Sequence, residues 1–108
     1  MKKIAVLMVC VMVLCLASAA AAQDSPMLYK TKCAACHGVD GNGDTPIAKK
    51  QNIKSFKDPS VQKMGDAELE AMIGNGGPKP LTTHQFAKKG MTPEQVKALA
   101  AYVKQLGK

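Results

Sequence analysis

The sequence predicts a small all-α protein built from three to four helices. Apolar residues recur at helical spacing near the C-terminus, and a shorter stretch with similar spacing lies in the middle of the chain. Segments rich in glycine and proline separate these stretches, and such segments are typical of turns and loops. The chain has only 108 residues, which predicts one domain.

The last helix has the clearest signals. Thr92 is a capping residue, Pro93 fits the first helical position, and Gln95 stands where a capping box needs a glutamine or glutamate. Gly107 is expected to end the helix. Apolar residues at steps of three or four then predict a single buried face, formed by Val96, Leu99, Val103 and Leu106.

A shorter helix is predicted in the middle of the chain. Leu69, Met72 and Ile73 form an apolar stripe, and Asp66 is expected to cap the N-terminal end. Gly74 begins a run of glycines and prolines that cannot continue a helix, so we expect the helix to end there.

The remaining segments are one helix and two loops. Residues 25–35 predict a first helix, since Pro26 fits an early helical position. Residues 38–60 are rich in glycine, aspartate and asparagine and predict an irregular, turn-rich loop with Phe56 as its aromatic residue. A second loop, residues 81–90, contains His84.

The segment Cys33-Ala34-Ala35-Cys36-His37 has the spacing of a c-type haem attachment site. Cys33 and Cys36 lie about one helical turn apart, so both sulfurs can reach the two vinyl groups on one porphyrin edge. His37 then lies under the ring, where its nitrogen can bind the iron from the proximal side. A redox dithiol needs a βαβ context and a zinc site needs a second ligand pair, and the sequence offers neither. We therefore predict helices wrapped around one covalently attached haem c.

The first 22 residues predict a cleaved signal peptide. Lys2 and Lys3 precede an apolar run from Ile4 to Leu16, and small residues follow it at positions 17–22. Cleavage after these small residues leaves 23–108 as the mature domain, exported to the periplasm. The apolar run is shorter than the roughly 20 residues of a spanning helix, so we expect no stable membrane insertion of the mature chain. A retained anchor and a lipid anchor on Cys10 or Cys15 are the alternatives.

The charge of the chain indicates the class of partner. All fifteen basic residues of the full chain are lysines. Cleavage of the signal peptide removes Lys2 and Lys3, so the mature chain has thirteen lysines and eight acidic residues, a net charge of about +5. This balance favours steering towards redox proteins with acidic surfaces. Nucleic acid is not expected as a partner, and the chain is expected to be a monomer. The lysines proposed for steering are Lys49, Lys50, Lys54, Lys57, Lys88 and Lys89.

Over nearly its whole mature length, the chain resembles a class I c-type cytochrome. The resemblance rests on the Cys33–Gly38 segment, the Asp40-Gly41-x-Gly43 turn and the helix that begins at Thr92. It implies that the first and last helices cross near the haem, with Tyr29 and Tyr102 near the crossing. The family usually has a glycine two turns before the first haem cysteine, and Ser25 stands there in this chain.

A second departure from the family pattern concerns the sixth iron ligand. Members usually supply a methionine seven residues before the apolar residue that precedes the last helix cap, and seven residues before Met91 is His84. The resemblance therefore predicts His84 as the distal ligand opposite His37. Met64, Met72 or Met91, or an open site, remain alternatives.

These features predict an electron carrier and not an enzyme. Ligation by two histidines favours ferric iron and hence a low potential. The alternative is a haem protein with an open or weakly held sixth site that binds a small gas or acts on peroxide.

Overall fold

The computed structural model describes residues 24–79 and 81–108, and this part of the chain is helical, with no strand. The predicted signal peptide, residues 1–22, lies outside the described residues. Two of the helical segments, α2 and α4, are single turns. The segments are α1 (residues 24–32), α2 (Ala34–His37), α3 (Pro46–Gln51), α4 (Pro59–Gln62), α5 (Asp66–Gly74) and α6 (Pro93–Leu106).

The predicted all-α class is confirmed, most clearly at α6. The Thr92 side chain accepts a hydrogen bond from the Gln95 N–H, and the Gln95 side chain accepts one from the Thr92 N–H. This is the capping box expected from the sequence, with Pro93 at the start of the helix. The buried face of α6 consists of Val96, Leu99, Ala100 and Val103.

Helix α5 packs against α6 and begins differently from the prediction. Gly65 is the N-cap, and Asp66, predicted to be the cap, already has a helical backbone as the first helical residue. Its carboxylate instead accepts a hydrogen bond from the Lys104 ammonium group on α6. Leu69 and Ile73 are buried, as the apolar stripe predicts.

The segment 38–60, predicted as an irregular loop, contains all of α3 and the start of α4. Each of these helices begins with a capping side chain followed by proline. The Thr45 hydroxyl accepts from the Ala48 N–H at 3.0 Å, and the Asp58 carboxylate accepts from the Ser60 N–H at 2.9 Å. The prediction was wrong here because helices of four and six residues are too short to show an apolar periodicity.

The core lies where α1 meets α6, as the resemblance implies. The Tyr29 and Tyr102 rings are 5.4 Å apart between centroids, and Leu99 of α6 is fully buried in the same cluster. Ser25 is only 5 % exposed, so a small residue still occupies the position where the family usually has glycine. None of the helices in the described ranges is long and apolar enough to cross a bilayer.

Candidate functional site

The two cysteines lie at a break between α1 and α2. The predicted helix 25–35 is interrupted at Cys33, which has left α1 and acts as the N-cap of α2. The Cys33 carbonyl accepts from the Cys36 N–H at 3.2 Å and from the His37 N–H at 2.9 Å. These bonds put the two thiols one turn apart, with the imidazole directly after them. Neither cysteine forms a disulfide.

Two hydrogen bonds, one buried and one partly buried, attach this turn to the rest of the protein. The Tyr29 hydroxyl donates to the Gly38 carbonyl at 2.6 Å, which connects α1 to the residue after His37. The Thr45 hydroxyl donates to the Cys36 carbonyl at 2.6 Å, which connects the same turn to the start of α3. The attachment segment is thus held at Cys36 and at Gly38, the residue that follows His37.

Phe56 packs against His37, with 4.9 Å between ring centroids. Its backbone N–H donates to the Gly41 carbonyl at 2.9 Å, so the loop returns to the residues that follow α2. Gly41 has φ of 72°, and a Cβ atom there would overlap the Phe56 ring. Glycine is therefore required at this position by both the backbone and the ring.

His84 is brought to the same place from the other side. Its half-buried ring lies 6.1 Å from the His37 ring between centroids. Its Nδ1 lies 2.9 Å from the Met72 carbonyl of α5. Because a carbonyl only accepts, Nδ1 must donate, and Nε2 is the nitrogen with a free lone pair. The loop backbone is anchored to α5 two residues after His84, where the Phe86 N–H donates to the Ile73 carbonyl at 3.2 Å.

A cavity of about 500 Å³ joins these residues and is lined mainly by apolar side chains. Cys33, His37 and His84, three of the four predicted site residues, line it, together with Phe56 and Phe86. Cys36, the fourth, is half-buried one turn from Cys33 and is held through its carbonyl.

Burial controls the chemistry of His37 and Cys33. Burial lowers the pKa of His37, and the neighbouring His84 lowers it further, so the imidazole is favoured in its neutral form. Within the described residues, the buried His37 Nδ1 has no hydrogen-bond partner. Burial, with a smaller effect of Cys36, raises the pKa of the Cys33 thiol to about 11. One free thiol in the wall of an apolar cavity, a second thiol one turn away and a neutral imidazole in the same wall fit a covalently attached haem.

Sequence reasoning missed two contributors to the site. Thr45 bonds the Cys36 carbonyl, and the Thr45-Pro46 pair is a cap signal that was available in the sequence. The Met72 carbonyl, which orients His84, left no signal, because any residue at that position supplies a carbonyl.

Comparison with known proteins agrees with this geometry. A family model described as Cytochrome c matches residues 22–107, nearly the whole described chain. Searches of curated proteins and of solved structures found no match. A cytochrome c domain has covalently attached haem c, and Cys33 and Cys36 are positioned as in a Cys-x-x-Cys-His attachment segment. The chain belongs to the cytochrome c family.

Proposed function

We propose that this cytochrome c is a low-potential electron carrier and not an enzyme, with its iron bound by His37 and His84. Cys33 and Cys36 would hold the haem through thioether bonds. The haem, when bound, supplies a reversible one-electron change at iron. The observation that supports the ligand pair most directly is the placement of the two imidazoles across one cavity.

The spacing of the two rings suits one metal ion between them. A bond between a metal ion and an imidazole nitrogen is about 2 Å long, so rings that bind one ion from opposite sides have centres roughly 6 Å apart. The centroids of His37 and His84 are 6.1 Å apart. The Met72 carbonyl holds His84 Nδ1, which leaves Nε2 for the metal.

The methionines are weaker candidates for the sixth ligand. Met64 and Met72 line the cavity, whereas Met91 does not. Met72 already supports His84 through its backbone, and Met64 packs against the hydrophobic core. We therefore favour His84, which shares the cavity with His37 and has one nitrogen already oriented.

The surrounding residues favour the metal-binding form of His37 and hold the rings of both proposed ligands. Burial favours the neutral form of His37, and this is the form that binds a metal. Phe56 packs on the His37 ring and Phe86 stacks near the His84 ring, with 6.1 Å between their centroids. These contacts hold both rings in place, so a change of charge at the iron requires little rearrangement of the chain.

Ligation by two imidazoles supports the proposal of a low potential. A thioether ligand raises the potential of a c-type haem, whereas a second imidazole is a stronger donor and favours the ferric state. Axial ligands set haem potentials within a range of about 0.8 V. We expect the potential of this protein to lie well below that of a relative with histidine and methionine ligands.

The decisive experiment compares the purified wild-type protein with His84→Met and His84→Ala. The wild-type ferric spectrum should lack the weak sulfur-to-iron band at the red edge of the visible range. His84→Met should introduce that band and raise the midpoint potential. His84→Ala should allow the ferrous protein to bind carbon monoxide, which the wild type should not bind.

Three results would contradict the ligand assignment. A sulfur-to-iron band in the wild-type protein would identify a methionine as the sixth ligand. Carbon monoxide binding by the wild type would support an open site that binds small gases or acts on peroxide. An unchanged spectrum and potential in His84→Ala would make His84 an ordinary loop residue.

We also propose that the protein works outside the cytoplasm, in the periplasm, and meets redox proteins with acidic surfaces. The six lysines proposed for steering are all exposed. Lys49 and Lys50 lie in the last turn of α3, directly before Gln51 and Asn52, which line the cavity. Lys54 also lines the cavity. Positive charge is therefore placed beside the opening through which electrons would pass.

A further inference from the structure

We propose that Lys89 is a positioning residue for His84: it closes the loop 81–90 over the cavity and keeps small molecules from the sixth iron position. The inference rests on the proposed function, since it assumes that His84 binds the iron. Lys89 is one of the six lysines proposed for steering. This inference gives its side chain a different role, which is to position His84.

Lys89 contacts the loop on both sides of His84. Its ammonium group donates to the carbonyls of Thr82 at 3.1 Å and Thr83 at 3.2 Å, the two residues directly before His84. The same group lies over the Phe86 ring, 5.0 Å from its centroid. One side chain therefore joins the backbone before His84 to the aromatic residue after it.

The two halves of the loop are held in different ways. The second half is anchored through its backbone, because the N–H groups of Phe86 and Ala87 donate to the carbonyls at the end of α5, Ile73 and Gly74. Among the described residues, no backbone–backbone hydrogen bond joins residues 82–84 to α5. They are held by Lys89, by a turn bond from the His84 N–H to the Leu81 carbonyl at 3.0 Å, and by the His84 ring itself.

The backbone between the two halves is strained. Gln85 has φ of 42°, in the left-handed region that residues other than glycine seldom adopt. Such a conformation persists only where the surroundings hold it. If the Lys89 contacts are removed, Gln85 can relax, and the relaxation would move His84 away from the cavity.

Lys88 provides a matched control. It is exposed, carries the same charge and precedes Lys89 in the chain. Its N–H donates to the Gln85 carbonyl at 3.1 Å, but its ammonium group has no partner among the described residues. A substitution of Lys88 therefore removes the same charge without removing the contacts to Thr82, Thr83 and Phe86.

The test measures how fast the sixth position opens in the ferric holoprotein. Cyanide at saturating concentration reports the rate at which His84 leaves the iron. Lys89→Met should raise this rate by about tenfold, which corresponds to about 1.4 kcal/mol. Lys88→Met should leave it unchanged, and Lys89→Arg, which keeps a charged donor, should stay close to the wild type. As a second readout, the His84 amide should exchange its hydrogen faster in Lys89→Met, while the Ala87 amide should not.

The outcomes separate a failure of this inference from a failure of the ligand assignment. Equal cyanide rates in Lys89→Met and Lys88→Met, with a much faster rate in His84→Ala, would overturn the role of Lys89 and leave His84 as the ligand. A rate in His84→Ala equal to that of the wild type would overturn both. If Lys89→Met does not fold, Lys89→Gln replaces it and the same comparison with Lys88→Gln applies.

Discussion

Tyr29 shows how one hydroxyl group holds the haem-attachment segment in position. Its ring is buried between Phe56 and Tyr102, and its hydroxyl donates to the Gly38 carbonyl, which is itself buried. Burial, with smaller effects of nearby acidic groups, raises the pKa of the Tyr29 hydroxyl. The group therefore remains protonated and able to donate well beyond neutral pH.

Tyr29→Phe should lower the free energy of unfolding by about 0.5–1.5 kcal/mol, because it removes one of the two hydrogen bonds that the buried Gly38 carbonyl accepts, the other coming from the Gly41 N–H. Urea denaturation of the holoprotein measures this loss. The matched control is Tyr102→Phe, because the described residues provide no hydrogen-bond partner for the Tyr102 hydroxyl. Equal losses in the two variants would show that the Tyr29 bond contributes nothing specific.

At the scale of secondary-structure elements, the sequence predicted those helices whose apolar periodicity was long enough to be seen. In helix α6, Val96, Leu99 and Val103 are buried at steps of three and four residues, so most of its face and both of its ends were predictable. Leu106, predicted for the same face, is only half-buried. Helices α3 and α4 are too short for a periodic pattern, and their only signals are Thr45-Pro46 and Asp58-Pro59. The same type of signal, Thr92-Pro93, was interpreted correctly because an apolar face followed it.

Thr45 joins two elements, since it caps α3 and also bonds the Cys36 carbonyl at the end of α2. Thr45→Val keeps the shape of the side chain and removes both hydrogen bonds. We expect a loss of about 2 kcal/mol, since the cap alone contributes about 0.5–2 kcal/mol. Thr45→Ser keeps the hydroxyl and should retain most of the stability. Thermal unfolding monitored by circular dichroism compares the two, and equal losses would contradict the role of the hydroxyl.

The ion pair between α5 and α6 should make stability depend on pH. The hydrogen bond and charge of Lys104, with a smaller effect of Lys97, lower the pKa of Asp66 below its ordinary value of 3.8. A lowered pKa in the folded state stabilises the protein above the ordinary value, and this contribution disappears as the pH falls through the lowered pKa.

Asp66→Asn should therefore be less stable than the wild type at neutral pH, and the difference should shrink below pH 3.8 and vanish as the pH falls through the lowered pKa of Asp66. Urea midpoints measured from pH 7 to the acid range test this. Glu68→Gln is the control, because it removes an acidic group from the same first turn of α5, and its side chain has no partner in the described ranges. A difference between Asp66→Asn and the wild type that persists in acid would exclude the ion pair as its cause.

For the molecule as a whole, the attachment segment could be predicted from its spacing alone, whereas the position of His84 near His37 was predicted only through the family resemblance. Cys33, Cys36 and His37 are neighbours in the chain, so their spacing alone defines their geometry. His84 is distant in sequence, and its placement depends on the path of loop 81–90, with its left-handed residue at Gln85. No local pattern predicts that conformation for glutamine.

The net positive charge predicts that electron transfer to an acidic partner slows as salt rises. The Debye length falls from about 10 Å at 0.1 M to about 3 Å at 1 M ionic strength, so steering is largely lost over this range. Lys49→Gln combined with Lys50→Gln should reduce both the rate at low salt and its salt dependence. Lys97→Gln combined with Lys108→Gln removes the same charge away from the cavity. Rates that are equal in the two double variants would contradict steering by α3.

The position of α6 in the chain has a consequence for biosynthesis. Four of the ten buried apolar residues in the described ranges belong to α6, the last of the described helices to be made. The core around Tyr29 therefore cannot close until translation has passed Val103, although Cys33 and Cys36 are made much earlier. During that interval both thiols belong to an open chain and are accessible before the core closes over them.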